Sequence, residues 1–510
     1  MRILIFHGYL LRGTGSNIYN ANLAQALARQ GHEVHLFCQD RDAAELDWVD
    51  AVGDWEDGEL AVESVRETEF PGSVTVYCPP IGKTLPVYVE DPYRGFEARA
   101  FPRLDDGELE RYIAVNVAAV EDVVDLVGAP DAALANHLIM GPVILARAGI
   151  PRFAVKNHGS DLEYTIKPNP RFIPFVVEGL SAASAVLVGS WHTAKSLWDA
   201  IPELDLEAIT GLGPPGVQPT EFMPLSPAEA PDRLRSLALE LGAREVGNGS
   251  LGRDPEAAAR AVSDFAGADG PRIVFVGKLI VSKGVDLLAA AWPLIHARNP
   301  GASLLLAGFG AFRDGLEALV DALEAGDLEG ARSIAREGRG LEGGEPAPLD
   351  FLSSFLADVP DDYREAARAA AGSIGFTGRL EHGEVAALLP ACDAMVVPST
   401  FPEAFGMVAA EAASAGLLPV CADHSGLAEV TGVLADEVPA IAPLVSFELG
   451  PEAVPEIADR VNGWLALGAG EREALGAGIS ASAERNWSWD GVARDVIAGA
   501  EGTVRPLTQP

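Results

Sequence analysis

The sequence predicts an α/β protein made of two doubly wound domains. Buried strands alternate with amphipathic helices along both halves of the 510-residue chain. Each half also opens with a strand that leads into a glycine-bearing turn. Hydrophobic residues make up 48% of the chain, which supplies enough apolar surface for two or three cores.

The first half opens with a βαβ unit. Strands are predicted at residues 2–6, 33–38, 73–77, 132–135, 153–156 and 185–188, and helices at 17–30, 108–127 and 191–200. Ser190 directly precedes the last of these helices and is expected to cap it. Residues 45–125 are otherwise acidic, and we predict that they are irregular.

The second half repeats this alternation. Strands, some with the glycine turn that follows, are predicted at residues 272–277, 303–310, 374–380, 394–397 and 418–421. Helices are predicted at residues 285–295 and 383–389, from 405 onward, and from 486 onward. The pattern therefore predicts a second parallel sheet covered by helices.

The strand at 394–397 is followed by the most informative stretch of the chain. Pro398 ends the strand, and the helix predicted from Phe405 begins after a short loop that carries Glu403. A helix N-terminus presents unpaired N–H groups and the positive end of a dipole, which suit a phosphate or sugar oxygen. Glu411 follows Glu403 by eight residues, so we expect both carboxylates to border one pocket.

The charge of the chain narrows the choice of partners. A formal net charge of −37 disfavours nucleic acid and anionic membranes. Only six lysines occur, and two of them, Lys278 and Lys283, follow the strand predicted at 272–277. A pair of lysines in one loop of so acidic a protein indicates an anion-binding loop.

The sequence also bears on location and redox chemistry. No apolar run reaches the length of a membrane span, so we expect no integral membrane segment. The apolar run after Met1-Arg2 is too short for a signal peptide, which favours the cytoplasm. The four cysteines lie far apart, which indicates neither a zinc site nor a disulfide scaffold.

Two strands of the first half end in histidine-bearing loops. His137 follows the strand predicted at 132–135, and His158 follows the strand predicted at 153–156. Open α/β sheets bind ligands at the carboxyl ends of their strands. Both histidines are therefore expected at a ligand-binding edge.

The stretch V-V-P-S-T-F-P-E-A-F-G-M-V-A-A-E at residues 396–411 resembles the E-x7-E motif of the family 4 retaining glycosyltransferases of the GT-B fold. His158 lies in His-Gly-Ser-Asp, which is similar to the segment whose histidine touches the donor sugar in that family. Residues 214–224 resemble the passage that closes the first domain, although the usual Asn and Asp beside Gly216-Val217 are absent.

The resemblance implies a domain arrangement. A Rossmann-like acceptor-side domain is expected at residues 1–222, completed by a C-terminal helix that returns to it at 487–510. An acidic connecting insertion is expected at 223–270, and the nucleotide-sugar-binding domain at 271–486, facing the first across a cleft. A second acidic, alanine-rich insertion of two or three helices is expected at 311–371.

The resemblance also implies an activity. The enzyme would move a hexose from a UDP- or GDP-linked donor to a hydroxyl of a small-molecule, glycan or lipid-linked acceptor, with retention at the anomeric carbon. A front-face mechanism is implied, because no second carboxylate is placed as a nucleophile. No metal and no cofactor beyond the nucleotide diphosphate sugar, which is a co-substrate, are expected.

Site residues are carried over position by position. Glu403, His158 and Lys283 are the expected catalytic residues: Glu403 and His158 would contact the sugar, and Lys283 would stabilise charge developing on the diphosphate. Closure of the cleft would bring His158 to the sugar. Glu411 would accept hydrogen bonds from the ribose. The remaining expected donor-binding residues are Gly15, Lys278, Gly378, Arg379, Leu380, Ala404, Phe405, Gly406 and Met407.

Other classes stay open at this stage. The turn at residues 13–18 places Ile18 where a nicotinamide-binding fingerprint has its third glycine, and Asp40 could serve as the ribose acid of an NAD-dependent oxidoreductase. Asp40-Arg41-Asp42 also matches the D-x-D of metal-dependent glycosyltransferases, although a solvated loop is the better interpretation. A glycan phosphorylase of similar fold and a non-catalytic sugar-nucleotide sensor are further alternatives.

Overall fold

The computed structural model describes residues 1–13, 15–88, 95–243, 254–507 and 509. These residues form two compact units. Unit 1 comprises Met1–Gly216 and Trp487–Gln509, and unit 2 comprises Val217–Asn486. The described part of the segment 223–270, which the sequence interpretation sets apart as a connection, is thus part of unit 2.

The strands of the described residues are short, as is usual in α/β domains. In unit 1 they are β1 Arg2–Phe6, β2 Glu33–Phe37, β3 Ala51–Glu56, β4 Glu59–Ser64, β5 Ser73–Tyr77, β6 Thr84–Val87, β7 Glu97–Ala100, β8 Ala132–Asn136, β9 Phe153–Lys156, β10 Ala185–Val188 and β11 Thr210–Leu212. In unit 2 they are β12 Arg272–Val276, β13 Ser303–Ala307, β14 Ile374–Gly378, β15 Ala394–Val397, β16 Leu418–Ala422 and β17 Ser446–Phe447.

The α-helices of the described residues lie between these strands and at the end of the chain. The first five are α1 Gly15–Arg29, α2 Asp106–Val127, α3 Gly141–Arg147, α4 Ile173–Ala182 and α5 Trp191–Ala200. Those of unit 2 are α6 Ala230–Ala243, α7 Pro255–Ala266, α8 Val285–Arg298, α9 Arg313–Ala325, α10 Leu328–Glu337, α11 Asp350–Ala357, α12 Tyr363–Ala369, α13 His382–Leu388, α14 Met407–Ser414, α15 Ser425–Glu437, α16 Ala453–Ala466 and α17 Ala469–Trp487, whose last residue lies in unit 1. The final helix, α18 Trp489–Ala500, belongs to unit 1.

Unit 1 is built on a sheet in which, among the described residues, the strand order is β11-β10-β9-β8-β1-β2-β5-β3-β4. All neighbours in it pair in parallel except β3 and β4. One face carries Leu4 and Phe6 and is packed by α2 to α5, while the other carries Ile3 and Ile5 and is packed by α1 and α18. Burial on both faces explains why β1 has an unbroken apolar run.

The C-terminal helix completes the core of unit 1. Ser488 caps α18 by accepting a hydrogen bond from Gly491 N at 3.4 Å. Trp489, Val492 and Val496 then lie in the same buried cluster as residues of α1 and β1. This part of the chain therefore returns to unit 1 after unit 2 is finished.

Unit 2 is built on a fully parallel sheet. Its strand order among the described residues is β14-β13-β12-β15-β16-β17. The chain moves outward from β12 in one direction and from β15 in the other, so the order reverses between these two strands. In open α/β sheets this reversal is where the loops diverge and leave room for a ligand.

Two predictions about secondary structure are wrong. Residues 45–125 are not largely irregular, because β3 and β4 form an antiparallel hairpin around Asp57 and Gly58, whose φ angles are 50° and 86°. Asp-Gly between strands is a strong hairpin signal, so the sequence did contain the information. The described residues of 311–371 form four α-helices, α9 to α12, rather than two or three.

Among the residues that the structure describes, no helix is both long enough and apolar enough to cross a membrane.

Candidate active site

The candidate site of unit 2 lies where the strand order of its sheet reverses. The loop after β12 carries Lys278 and Lys283, and the loop after β15 carries Glu403. Because β12 and β15 are parallel neighbours, both loops leave the sheet at the same edge. The site is thus formed by segments more than a hundred residues apart in sequence.

Lys283 and Glu403 are in direct contact in this structure. The Nζ atom of Lys283 donates a hydrogen bond to Oε1 of Glu403, and the hydroxyl of Ser399 donates to the same oxygen at 2.7 Å. Their side chains are 30% and 22% exposed, so both can still be reached by a ligand. The pair places a cation and a carboxylate side by side at the mouth of the loop.

The backbone of Glu403 is fixed by the turn that begins α15. Ser425 Oγ accepts a hydrogen bond from Glu403 N at 2.9 Å, and Gly426 N donates to Glu403 O at 3.0 Å. A Cβ atom on Gly426 would lie 2.6 Å from the Cα atom of Phe405, so this close approach requires glycine. The turn at Ser425 and Gly426 therefore fixes the backbone from which the Glu403 side chain extends.

Gly284, which follows Lys283, lies against the loop that carries Glu403. Its φ of 65° is left-handed, and a Cβ atom there would lie 1.8 Å from the carbonyl oxygen of Pro398. Next to this contact, Thr400 N donates a hydrogen bond to Ser282 O at 2.9 Å. The positions of Lys283 and Glu403 thus depend on a glycine that lets two backbones touch.

The helix after Glu403 begins later than predicted. It starts at Met407, and the preceding Gly406 has a φ of 112°, which an L-residue rarely adopts. A Cβ atom on Gly406 would also lie 2.6 Å from Leu427 Cδ2. Ala404, Phe405 and Gly406 therefore belong to the loop, and Met407 begins the helix.

Glu411 lies in α14 and is buried, with 7% of its surface exposed. Burial raises its pKa to about 7; His382 opposes this rise and Glu221 adds to it. The His382 Nδ1 atom lies 3.9 Å from Glu411 Oε1, and its Nε2 atom lies 3.1 Å from Glu221 Oε2. The hydrogen bond to Glu221 is the main cause that raises the pKa of His382.

The remaining predicted residues of unit 2 line the ends of β12 and β14. Lys278 is exposed at the end of β12. Gly378 ends β14 with a φ of 70°, and Leu380 is half-buried. Arg379 pairs with Glu381 at 3.3 Å and lies over the ring of Phe309 at 5.8 Å.

The helical segment 311–371 supports the lysine loop. Glu342 Oε2 accepts a hydrogen bond from Val281 N at 2.9 Å. Val281 and Lys283 are the first and last residues of a single helical turn, Val281–Lys283. The predicted insertion at 311–371 thus contacts the loop that carries Lys283.

In unit 1, His158 lies just after β9, and Gly15 is the exposed first residue of α1. The Nε2 atom of His158 lies 2.9 Å from Asn136 Oδ1. The surrounding protein lowers its pKa well below the usual value, and His137, Lys156 and His7 lower it further. His158 is therefore a neutral imidazole at pH 7.

The carboxylate of Asp40 is hydrogen-bonded to the backbone of the loops around it. Its Oδ2 atom accepts a hydrogen bond from Leu11 N at 3.2 Å, and its Oδ1 atom accepts one from Asp42 N at 3.2 Å. Arg12 lies 3.6 Å from the same carboxylate, which is 8% exposed. Both oxygens are thus engaged by the two loops around them, which weakens the alternative of a ribose-binding acid.

The sequence interpretation missed three residues of the site in unit 2. Ser399 bonds to Glu403, and His382 and Glu221 surround Glu411. Ser399 lay within the stretch that carried the resemblance, and His382 follows the predicted base-binding residues by two positions. Glu221 had no signal, because its role depends on a fold contact across 161 residues.

A segment of the C-terminal half matches the model of a known family. Residues 363–436 match the family model of the glycosyl transferases group 1. This segment contains Gly378, Arg379, Leu380, Ala404, Phe405, Gly406, Met407, Glu403 and Glu411. It begins inside the predicted insertion 311–371, so the part of that insertion from Tyr363 onward belongs to the family segment.

Sequence relatives point in the same direction. Glycogen synthases of two Mycobacterium tuberculosis strains are 33% identical to this chain over 157 residues, which is 31% of this chain. The match spans 27% of the length of those relatives.

Solved structures of similar fold cover nearly the whole chain. Sucrose-phosphate synthase from Thermosynechococcus elongatus has a TM-score of 0.54 at 17% identity, over 97% of this chain and 96% of that chain. Anabaena HepE in complex with UDP and glucose has a TM-score of 0.53 at 16% identity, over 97% of both chains. The N-terminal domain of Candida albicans trehalose-6-phosphate phosphatase has a TM-score of 0.55 at 12% identity, over 99% of this chain and 97% of that domain.

Two α/β units built on largely parallel sheets are the architecture of the GT-B fold, and the chain has that fold. Within this fold, residues 363–436 are the segment that is similar to the glycosyl transferases group 1.

Proposed function

We propose that the protein transfers a hexose from a UDP- or GDP-linked donor to an acceptor hydroxyl, with retention at the anomeric carbon. The observation that carries this proposal is the contact between Lys283 and Glu403 where the strand order of unit 2 reverses. A nucleotide diphosphate sugar presents anionic phosphates next to a ring of hydroxyls. A cation and a carboxylate held side by side suit that pair of groups.

The leaving diphosphate needs positive charge as its bond to the sugar breaks. Lys283 supplies a charge that is already positioned by its contact with Glu403, and Lys278 supplies a second on the same loop. Backbone N–H groups from Ala404 to Met407, at the start of α14, are proposed to add to this stabilisation. Charges fixed before the reaction stabilise the transition state more than flexible ones would.

Glu403 and His158 are proposed to bind the transferred sugar. The hydrogen bonds from Lys283 and Ser399 both fall on Oε1 of the Glu403 carboxylate, so Oε2 would accept a sugar hydroxyl. Glu411, with the backbone of Gly378, Arg379 and Leu380, is proposed to bind the nucleoside. Gly15, at the N-terminus of α1, is proposed to face the donor phosphates through its backbone amide.

The proposed chemistry is a front-face displacement. The bond between the anomeric carbon and the diphosphate oxygen breaks, and a bond from the acceptor oxygen forms on the same face. The acceptor proton passes to the leaving diphosphate. This route needs no covalent intermediate, and in our proposal it uses neither a metal nor a further cofactor.

The acceptor is proposed to be a hydroxyl-bearing small molecule, glycan or lipid-linked sugar. We expect the purified protein, incubated with UDP- and GDP-linked hexoses and a set of such acceptors, to release UDP or GDP. Proton NMR of the product would report the anomeric configuration. Retention requires the same configuration in donor and product.

The same assay separates the other classes. A phosphorylase would release sugar 1-phosphate from a glycan when inorganic phosphate is added, and a sensor would bind the nucleotide without turnover. An oxidoreductase would change the absorbance of NADH. Any of these results, with no nucleotide release from any donor, would overturn the proposal.

A further inference from the structure

A continuous chain of side-chain hydrogen bonds runs through unit 1 at the carboxyl ends of β1, β8 and β9. Its members are His158, Asn136, Asn20, His7 and Asn17. His7 and the three asparagines are each at most 2% exposed. His158 is only partly buried, so the chain ends at a ring that a ligand can reach.

The first part of the chain links His158 to α1. His158 Nε2 lies 2.9 Å from Asn136 Oδ1, and Asn136 Nδ2 lies 2.6 Å from Asn20 Oδ1. Asn20 Nδ2 lies 3.0 Å from His7 Nδ1 and 2.8 Å from the carbonyl oxygen of Ser16. Asn20 thus connects a residue of β8 to the loop after β1.

The second part links His7 to the glycine turn. His7 Nε2 lies 3.0 Å from Asn17 Oδ1 and 3.0 Å from the carbonyl oxygen of Leu10. Asn17 Nδ2 donates to the carbonyl oxygen of Arg12 at 2.7 Å. The chain therefore ends on backbone oxygens of the loop that precedes α1.

The carbonyl oxygens of Ser16, Leu10 and Arg12 fix the direction of the hydrogen bonds in the chain, because a carbonyl oxygen can only accept. Ser16 O requires the NH₂ group of Asn20 on its side, which turns Asn20 Oδ1 toward Asn136. Asn136 must then donate to Asn20 and present its own oxygen to His158. His158 can satisfy that oxygen only with a proton on Nε2.

The same reasoning applies to His7. Asn20 donates to Nδ1 of His7, so this nitrogen carries no proton, and Leu10 O requires the proton on Nε2. Burial and nearby His137 together lower the pKa of His7 to about 3, so the ring is neutral. A neutral imidazole has one donor and one acceptor nitrogen, which is what the chain requires.

We propose that Asn136, Asn20 and His7 are positioning residues that hold His158 as the Nε2–H tautomer and leave its Nδ1 as a bare hydrogen-bond acceptor. Resting on the proposed function, this makes His158 a group that accepts a hydrogen bond from a sugar hydroxyl and does not supply a proton. Tyr19 packs edge-on against the ring at 5.1 Å, and His137 lies 4.9 Å away, so the ring plane is also held.

The test is a measurement of the tautomer itself, made without any donor or acceptor. The full-length protein, labelled with ¹⁵N in its histidines, is recorded at pH 7.5 with long-range proton–nitrogen correlations, and His158→Gln serves only to assign the signal. We expect His158 to show a protonated Nε2 and a bare Nδ1. A proton on Nδ1 in the unaltered protein would overturn the proposal without any variant.

Two variants test the chain. Asn136→Leu removes the acceptor at similar volume, so His158 should become a mixture of tautomers. Asn20→Asp replaces the group that donates to His7 Nδ1 with an acceptor, so Nδ1 of His7 should gain a proton. The control is Asn116→Leu in α2, because Asn116 is buried like Asn136 (1% against 2% exposed) but donates to Tyr112 O on its own helix.

An unchanged His158 tautomer in a folded Asn136→Leu protein, or an equal change in Asn116→Leu, would contradict the proposal.

A second measurement compares the kinetics of the Asn136→Leu variant with those of the unaltered protein. With the tautomer lost, KM for the nucleotide sugar should rise and kcat should fall, while UDP or GDP alone should bind as before. If no donor is ever turned over, the tautomer measurement still stands, so the two proposals can fail separately.

Discussion

Lys283 and Glu403 are 120 positions apart in sequence, yet Nζ of the lysine donates a hydrogen bond to Oε1 of the glutamate. Ser399 also donates to that oxygen, and Ser425 and Gly426 hold the backbone of Glu403. Two contacts to the carboxylate and two to the backbone thus hold Glu403 before any ligand arrives. A group fixed in this way needs little reorganisation during the reaction.

Lys283→Ala should lower kcat by about 100- to 1,000-fold, because loss of one preorganised charge at the transition state has effects of this size. The measurement is nucleotide release under saturating donor. Lys195→Ala is the matched control, because Lys195 is an exposed lysine of unit 1 that pairs with Asp199 on its own helix. Equal rates in the two variants would show that Lys283 is a surface residue.

Gly284→Ala should destabilise unit 2. The added Cβ would lie 1.8 Å from Pro398 O, and the left-handed backbone alone costs an alanine about 1–2 kcal/mol. We expect a clear fall in Tm in thermal unfolding, together with loss of activity. Gly432→Ala, on the exposed side of α15, is the control: its Cβ would meet nothing within 4 Å, and it should stabilise the helix by about 0.5–1 kcal/mol. A Tm for Gly284→Ala at or above that of the unaltered protein would contradict the close contact.

Much of this fold could be predicted because strands buried on both faces have a simple pattern. The strand at 394–397 and the helix capped by Ser190 are confirmed within their predicted bounds. The hairpin at Asp57-Gly58 was missed, although its turn signal is in the sequence, because the acidic composition around it was given more weight.

The site was harder to predict, because its contacts depend on distant parts of the chain. The resemblance assigned Glu403 and Lys283 to the same donor, but no pattern indicated that Glu221 lies beside His382 or that Glu342 supports Val281. The start of α14 at Met407, two residues later than predicted, also depends on a contact with a distant residue. Gly406 has a φ of 112° and lies so close to Leu427 that a Cβ atom would be 2.6 Å from it, a contact that forms only in the folded chain.

Activity should not depend on a divalent metal. In the proposed mechanism, Lys283, Lys278 and backbone N–H groups stabilise the charge of the leaving diphosphate. The acidic pair at Asp40 and Asp42 has another role, since Asp40 accepts hydrogen bonds from two backbone amides. We expect equal rates before and after treatment with EDTA. Activity abolished by EDTA and restored by Mn²⁺ would reverse this prediction.

Glu411→Gln should weaken binding of UDP or GDP by about 1–3 kcal/mol at pH 8, where the carboxylate is charged and can accept two ribose hydroxyls. Because burial raises the pKa of Glu411 to about 7, the unaltered residue is mostly protonated at pH 6. The difference between the two proteins should therefore grow from pH 6 to pH 8. Subtracting the variant removes the titration of the nucleotide phosphates, which is common to both. Calorimetric titration gives both affinities.

The same titrations test the oxidoreductase alternative. Such an enzyme would bind NADH through the turn at residues 13–18, and Asp40→Ala would abolish that binding while Glu411→Gln would not. In the structure both oxygens of Asp40 accept backbone hydrogen bonds, so we expect Asp40→Ala to lower Tm instead. Tight NADH binding that is lost with Asp40 and unaffected at Glu411 would refute the glycosyltransferase proposal.

His382→Gln should move the pH dependence of nucleotide binding to higher pH. His382 lies 3.9 Å from Glu411 and lowers the pKa of its carboxyl, while burial and Glu221 raise it. Removing the imidazole leaves only the two effects that raise the pKa, so Glu411 should ionise later. Glu411 then needs a higher pH to accept the ribose hydroxyls, and the midpoint of the affinity change should rise above that of the unaltered protein. His296→Gln, on α8, is the control, because that ring packs against Trp292. A midpoint that stays in place or falls in His382→Gln would mean that His382 does not act on Glu411.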